Sequence, residues 1–275
     1  MNKKLLSQRH PLFYFLAVWF YRSKRYTQWI IDSKHYSRRY RFERLQFNVK
    51  EHSSVLIRKL PEDQMYLQRN KIVNLKIAVS KINGILIFPG ETFSFCKLVG
   101  LPTRAKGYLE GMEISRGIPK PGIGGGICQI SNLLYWLVLH SDLTVIERSH
   151  HGYDPFPDHN RILPFGSGAT VFFNYIDLQF ENQTSSTYQI NLRVTEKTLE
   201  GELRADTEQV HTYSVYERNG EFIEKEGEHF RKNEIWRKKM VRRGGIFVAD
   251  ELIVKNFARV KYIPEQFKNR EIVSN

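Results

Sequence analysis

Apolar residues recur along this chain with two different spacings, and the alternation between them lays out its elements. Residues 11–31 begin as an apolar and aromatic run, shade into basic residues, and read as one helix lying on a membrane surface or over a core. In residues 62–82, Met65, Leu67, Ile72, Leu75, Ile77, Val79 and Ile82 stand among Gln, Lys and Asn, which predicts a covering helix. At about 100° per residue, Ile127, Ile130, Leu134, Leu137 and Val138 share one stripe. Trp136 and Leu139 lie on other faces, so this helix, starting near Cys128, is expected to be covered on more than one side.

Shorter apolar and alternating runs predict strands at residues 85–88, 91–95, 143–148 and 169–180, and a hairpin from 188–194 with 199–204. Residues 100–119, broken by Gly107 and Gly111, read as a loop with a brief strand at 113–116. Residues 153–168 carry Pro155, Pro157 and Pro164 with Phe156 and Phe165, which suits an ordered apolar lining. From about 207 onward, residues 213–217, an Asn219-Gly220 turn, 222–224 and 235–241 predict β ribbons. The expected architecture is α+β: a mainly antiparallel sheet packed against a helix carrying Cys128 at its N-terminus, with an N-terminal helical segment and a C-terminal β-rich extension. Three divisions follow: a basic aromatic segment 1–61, a central domain 62–206, and the extension 207–275.

Composition keeps this picture globular, since 41% of the 275 residues are apolar and 26% charged, enough to bury a core. Charge changes it more. The chain carries a formal +13, and residues 1–60 hold fourteen Lys and Arg against Asp32, Glu43 and Glu51, so 14 − 3 = 11 of that excess lies there. Such an arm suits an anionic membrane surface, or is a solvated basic face. Nucleic acid is not expected as a partner, because no recognition motif accompanies the charge. Residues 12–20 fall short of the roughly 20 apolar residues that span a bilayer, and no small-residue cleavage site follows, so a cytoplasmic or membrane-peripheral location is expected.

The candidate chemistry gathers before the helix at Cys128. Gly122, Gly124, Gly125 and Gly126 lead into the cysteine, whose place in a first helical turn should favour a thiolate and lower its pKa. Main-chain N–H groups around Gly125, Gly126 and Ile127 are positioned to form an oxyanion hole. A phosphate cradle is the weaker reading, since no Gly-Lys-Ser/Thr follows. The bland alternative makes Cys128 a small buried apolar residue. Ser149-His150-His151-Gly152 ends a predicted strand, where a histidine can serve as general base or sit on the surface as one of a titrating pair. Cys96 is then a bystander. No Cys-x-x-Cys or His-Glu-x-x-His pairing calls for a metal, and no cofactor is implied.

The blocks PGETFSF (89–95), KGY (106–108), GIGGGICQISNLLYW (122–136), LTVIERSHH (143–151) and GATVFFNYIDLQFEN (168–182) resemble the VanW family in order and spacing. That resemblance implies an accessory protein of glycopeptide resistance. It also implies cysteine-dependent acyl transfer of the L,D-transpeptidase type on cell-wall stem peptides, a chemistry linked to VanW domains elsewhere. Carried over by motif, Cys128 is the nucleophile, His151 the base, and Gly125, Gly126, Ile127, Arg148 and Tyr108 the substrate and oxyanion residues. The implied partner is a peptidoglycan stem peptide or precursor, and a transpeptidase would require an extracytoplasmic location. Gly168 stands where many relatives carry Asp, which removes one candidate orienter of the histidine or of an amine. The alternative is a non-catalytic protein at the membrane face that binds a wall precursor or a resistance enzyme.

Overall fold

In the computed structural model, the described residues are 10–268 apart from 59, 116, 151, 155–156, 158–161 and 174. Helix α1 (Pro11–Ile31) leads to β1 (His35–Tyr36) and β2 (Phe47–Val55). A 3-10 turn and α2 (Met65–Ser80) follow, then β3 (Ile85–Ile87), β4 (Glu91–Ser94) and the short α3 (Phe95–Val99). A hairpin of β5 (Glu110–Ser115) and β6 (Ile118–Ile123) precedes α4 (Cys128–Val138). Beyond α4 come β7 (Thr144–Glu147), β8 (Tyr153–Asp154), β9 (Gln179–Glu181), β10 (Tyr188–Val194) and β11 (Thr198–Ala205). The chain continues through β12 (His211–Lys225), β13 (Glu228–Val241) and β14 (Phe247–Val260) to α5 (Glu265–Lys268).

Three four-stranded sheets run in the orders β1-β4-β9-β7, β2-β11-β10-β3 and β12-β13-β14-β8, beside the β5-β6 hairpin. Every pairing among them is antiparallel except β1 with β4 and β14 with β8. The α+β, mainly antiparallel expectation therefore holds. One core cluster joins Leu75, Ala78 and Val79 of α2, Ile130, Leu134 and Leu137 of α4, and Ile190, Leu192, Leu199 and Leu203 of the second sheet. The α4 stripe points into that core, and Leu133, Tyr135 and Trp136 on its other faces are buried too, as its all-round apolar pattern requires. The first sixty residues contribute β2 to the same sheet, through the Leu203 to Lys50 and Leu199 to Ser54 register with β11.

Three expectations need correction. Residues 169–180 are not one strand: Phe172 and Ile176 bond each other through both backbone groups, each N–H to the opposite carbonyl at 2.9 Å, which folds the run into a tight loop. The loop's rings are drawn to α1, with Tyr175 edge-on to Tyr21 and Phe173 beside Tyr26, and this tertiary contact overrides the strand propensity of the aromatic and β-branched residues. Residues 100–119 are no plain loop, because β5 fills 110–115 and pairs with β6. Pro119 and Pro121 obscured that hairpin, yet proline is tolerated on an edge strand. Asn219-Gly220 is no chain reversal but a bulge inside β12, where the register shifts between Arg218 and Glu221; the reversal falls at Glu226 and Gly227, both with left-handed φ.

Candidate functional site

Construction of the site starts on α2. Asn74 is fully buried and ties two segments together: its side chain accepts from Leu109 N–H at 2.8 Å and donates to the carbonyls of Leu109 at 3.0 Å and Gly125 at 2.9 Å. Gly124 N–H closes the joint on the Leu109 carbonyl. A Cβ on Gly125 would lie 2.2 Å from the backbone of Gly111, so two glycines face each other where the turn crosses β5. Gly126 has φ +93° and rests on the Lys71 stem, with an added Cβ 2.2 Å from its Cγ. Packing alone requires glycine at these positions.

The first turn of α4 is fixed just as firmly. Gln129 donates to Ser54 Oγ at 2.9 Å and the Val55 carbonyl at 3.0 Å at the end of β2. Ser131 Oγ donates to the Ala169 carbonyl at 2.6 Å, and Asn132 Oδ1 accepts from Ala169 N–H at 2.8 Å. Cys128 Sγ sits 3.5 Å from the Val171 carbonyl. Ile127 N–H makes a long 3.4 Å turn contact with the Gly124 carbonyl, whereas the Gly126 N–H has no backbone acceptor among the described residues and the Cys128 N–H faces its own sulfur. Neither N–H is tied up in the backbone bonds of the turn.

Electrostatics corrects the expected thiolate. Cys128 is half-buried, and burial pushes its thiol pKa up, aided by the Glu113 carboxylate; the backbone at Val171 and the residue's own N–H oppose this less strongly. Desolvation outweighs the helix-start field, so the resting residue is a thiol. Glu113 on β5 is held by Lys120 of β6 at 3.1 Å.

The proposed partners take varied places. Arg148 is committed to the backbone: it donates to the Gly168 carbonyl at 2.9 and 2.7 Å and to the Gly166 carbonyl, lies over the Tyr135 ring, and has its pKa lowered by burial. Ser149 pairs with Thr170, setting the end of the β7 segment against the stretch that carries Val171. Tyr108 is buried with its hydroxyl lacking a partner among the described residues. His151 lies outside the described residues. The space that a Gly168 side chain would take is held by Asn132 Oδ1, 2.5 Å from an added Cβ. Asn182, part of a sequon-like triplet, is fully buried and donates to the carbonyls of Ile87 and Ser186.

Two residues carried no sequence signal. Lys71 is buried with Gln68 Oε1 at 2.9 Å as its partner, and burial with nearby Arg58 brings its amine down to about 8. Its place among the polar residues of a covering helix concealed it, as with Asn74. A cleft of about 660 Å³ opens between α1 and the first sheet, lined by Arg25, Trp29, Lys34, Tyr36, Glu147 and Gln179 among others. Neither Cys128 nor the glycine turn lines it. Among the described residues no group of three His, Cys, Asp or Glu side chains is arranged to hold a metal ion.

A profile of the family described as VanW like protein matches residues 70–204, which contain the turn, α4 and the 168–171 segment. The chain is 31% identical over 277 aligned positions to the vancomycin B-type resistance protein VanW of Enterococcus faecalis, covering 98% of this chain and 99% of that protein. It is 38% identical over 111 residues to the uncharacterized protein YoaR of Bacillus subtilis, covering 40% of this chain and 35% of YoaR. No solved structure matches. With its full-length alignment to one member and the family profile over the glycine-cysteine site, the chain belongs to the VanW family.

Proposed function

We propose that this protein is an accessory factor of glycopeptide resistance that acts on cell-wall stem peptides through acyl transfer at Cys128. The observation that carries the reading is the half-buried thiol at the start of α4, directly after a glycine turn in which the N–H groups of Gly126 and Cys128 make no backbone bond. The relative named as a vancomycin resistance protein, aligned end to end, supplies the biological setting.

In this reading the Cys128 thiol loses its proton to a base, and the sulfur attacks a peptide carbonyl. The C–N bond to the terminal residue breaks, that residue leaves as an amine bearing the proton, and a thioester remains. An acceptor amine then attacks the thioester, forms a new amide and returns the thiol. The resemblance assigns the base to His151. Glu113, whose field reaches the sulfur, suits an acceptor that arrives as an ammonium ion. Since burial raises the thiol pKa, a base must take the proton as the sulfur attacks.

Intact-mass measurement after incubation with a tetrapeptide donor tests the proposal. The expected result is an adduct equal to the donor less its terminal residue, absent from Cys128→Ala; no adduct on the wild type, or an equal one on the variant, overturns it.

One observation favours a second reading, a non-catalytic binder of a wall precursor or resistance enzyme: the 660 Å³ cleft with its mixed Arg25, Lys34 and Glu147 charges stands apart from the thiol. Full resistance activity in Cys128→Ala, lost in Lys34→Glu, would select it.

A further inference from the structure

Helix α1 is divided into two unlike halves. Its second half is docked: Tyr21 and Tyr26 meet Tyr175 and Phe173, Arg25 pairs twice with Glu147, and Lys97 lies over the Trp29 ring. The first half is bare. Leu12, Phe13, Tyr14, Phe15 and Leu16 are five consecutive residues between 45% and 56% exposed, and Trp19 and Phe20 are 53% and 64% exposed. Five successive positions at 100° steps go round the whole helix, so this is an uncovered apolar tip and not one face awaiting a groove.

The charges at its root specify what the tip meets. No acidic residue occurs in the whole of α1, while Arg22 and Lys24 follow the apolar tip directly. Residues 1–60 as a whole carry the net +11 counted above. Trp19, Tyr21 and Tyr26 stand at the junction, and these residue types favour the boundary between hydrocarbon and water. An apolar end, an aromatic junction and a basic collar in that order match the layering of an anionic lipid leaflet. The tip from residue 12 to 20 is about 14 Å long, roughly half of a ~30 Å hydrocarbon core. Among the described residues no helix is long and apolar enough to cross a membrane, and one leaflet is what this tip fits.

We propose that residues 12–20 of α1 insert into one leaflet of an anionic bilayer, with the exposed Lys24 among the headgroups. The docked half of α1 grips the 172–176 loop, so the anchor is fastened to the segment whose Val171 carbonyl contacts Cys128. This membrane seat does not depend on Cys128 being a nucleophile.

Co-sedimentation of the full chain with vesicles tests it. Phosphatidylcholine vesicles containing phosphatidylglycerol should pellet the wild type, while 0.5 M salt or phosphatidylcholine alone should reduce binding. The triple variant Phe15→Ser, Leu16→Ser, Trp19→Ser should bind at least about tenfold more weakly, with an unchanged thermal unfolding midpoint because these side chains are exposed. Brominated lipid should quench wild-type tryptophan fluorescence more than that of Trp19→Phe. Failure of the wild type to pellet, equal binding of the triple variant, or equal binding to both vesicle types would overturn the proposal. So would a wild-type dimer in free solution that the triple variant converts to monomer, since the tip would then belong to a second copy.

Discussion

Lys71 is a costly residue in a place that does not need it for stability. Its amine is buried, has a single neutral partner and is held near 8, below the ordinary lysine value, first by desolvation and then by Arg58. Between about pH 8 and 10.5 the unfolded chain binds this proton and the folded chain does not, so stability rises with pH across that window. Below it the whole penalty is present. Lys71→Met, which keeps the stem against Gly126, should stabilise the protein by about 2 kcal/mol at pH 7. The gain should close as pH approaches 10.5, as read by urea unfolding at both ends of the window. The Lys71 stem packs on Gly126, two positions before Cys128, and under the proposed acyl transfer the same variant should lower the yield of acyl adduct.

The glycine turn is the element on which α2, the β5-β6 hairpin and α4 converge. Gly126→Ala places a Cβ at positive φ against the Lys71 stem, and should cost about 2–4 kcal/mol in urea unfolding. Pairing it with Lys71→Ala, which removes the atoms it strikes, should recover part of that loss, so the double variant is less destabilised than the two singles added. At this scale the sequence was most legible where one periodicity ruled. The bounds of α1 could be read from its unbroken passage from an apolar run into basic residues, and the stripe of α4 from its spacing. Residues 172–176 misled because aromatic and β-branched residues suit a strand, but their rings serve α1, a partner some 150 positions away. The glycines were legible as a turn. Gly125 facing Gly111 was not, since nothing local announces which backbone will pass close by. The thiol's raised pKa was likewise hidden, because burial depends on the Val171 segment arriving from elsewhere.

In the whole molecule, one double ion pair joins the N-terminal arm to the body. Arg25 Nη1 and Nη2 meet Glu147 Oε2 and Oε1 at 2.6 and 2.5 Å, both side chains mostly covered. Removing it with Arg25→Ala should cost about 1–2 kcal/mol. It should also speed hydrogen exchange along residues 21–31 while leaving α4 protected, which locates the loss at the docking of the arm. Glu147 keeps a second contact, Asp177 N–H at 3.0 Å, so the first sheet should survive the change.

Both cysteines rest on the same short loop. Cys128 Sγ touches the carbonyl of Val171 and Cys96 Sγ that of Ile176, each at 3.5 Å, one at either foot of the bend closed by Phe172 and Ile176. Lifting that bend to admit a bulky guest would loosen both sulfurs at once. Cys96 is the buried one of the pair, so in Cys128→Ser its labelling by a small maleimide is expected to be slow and to quicken when the bend opens, as intact mass would read.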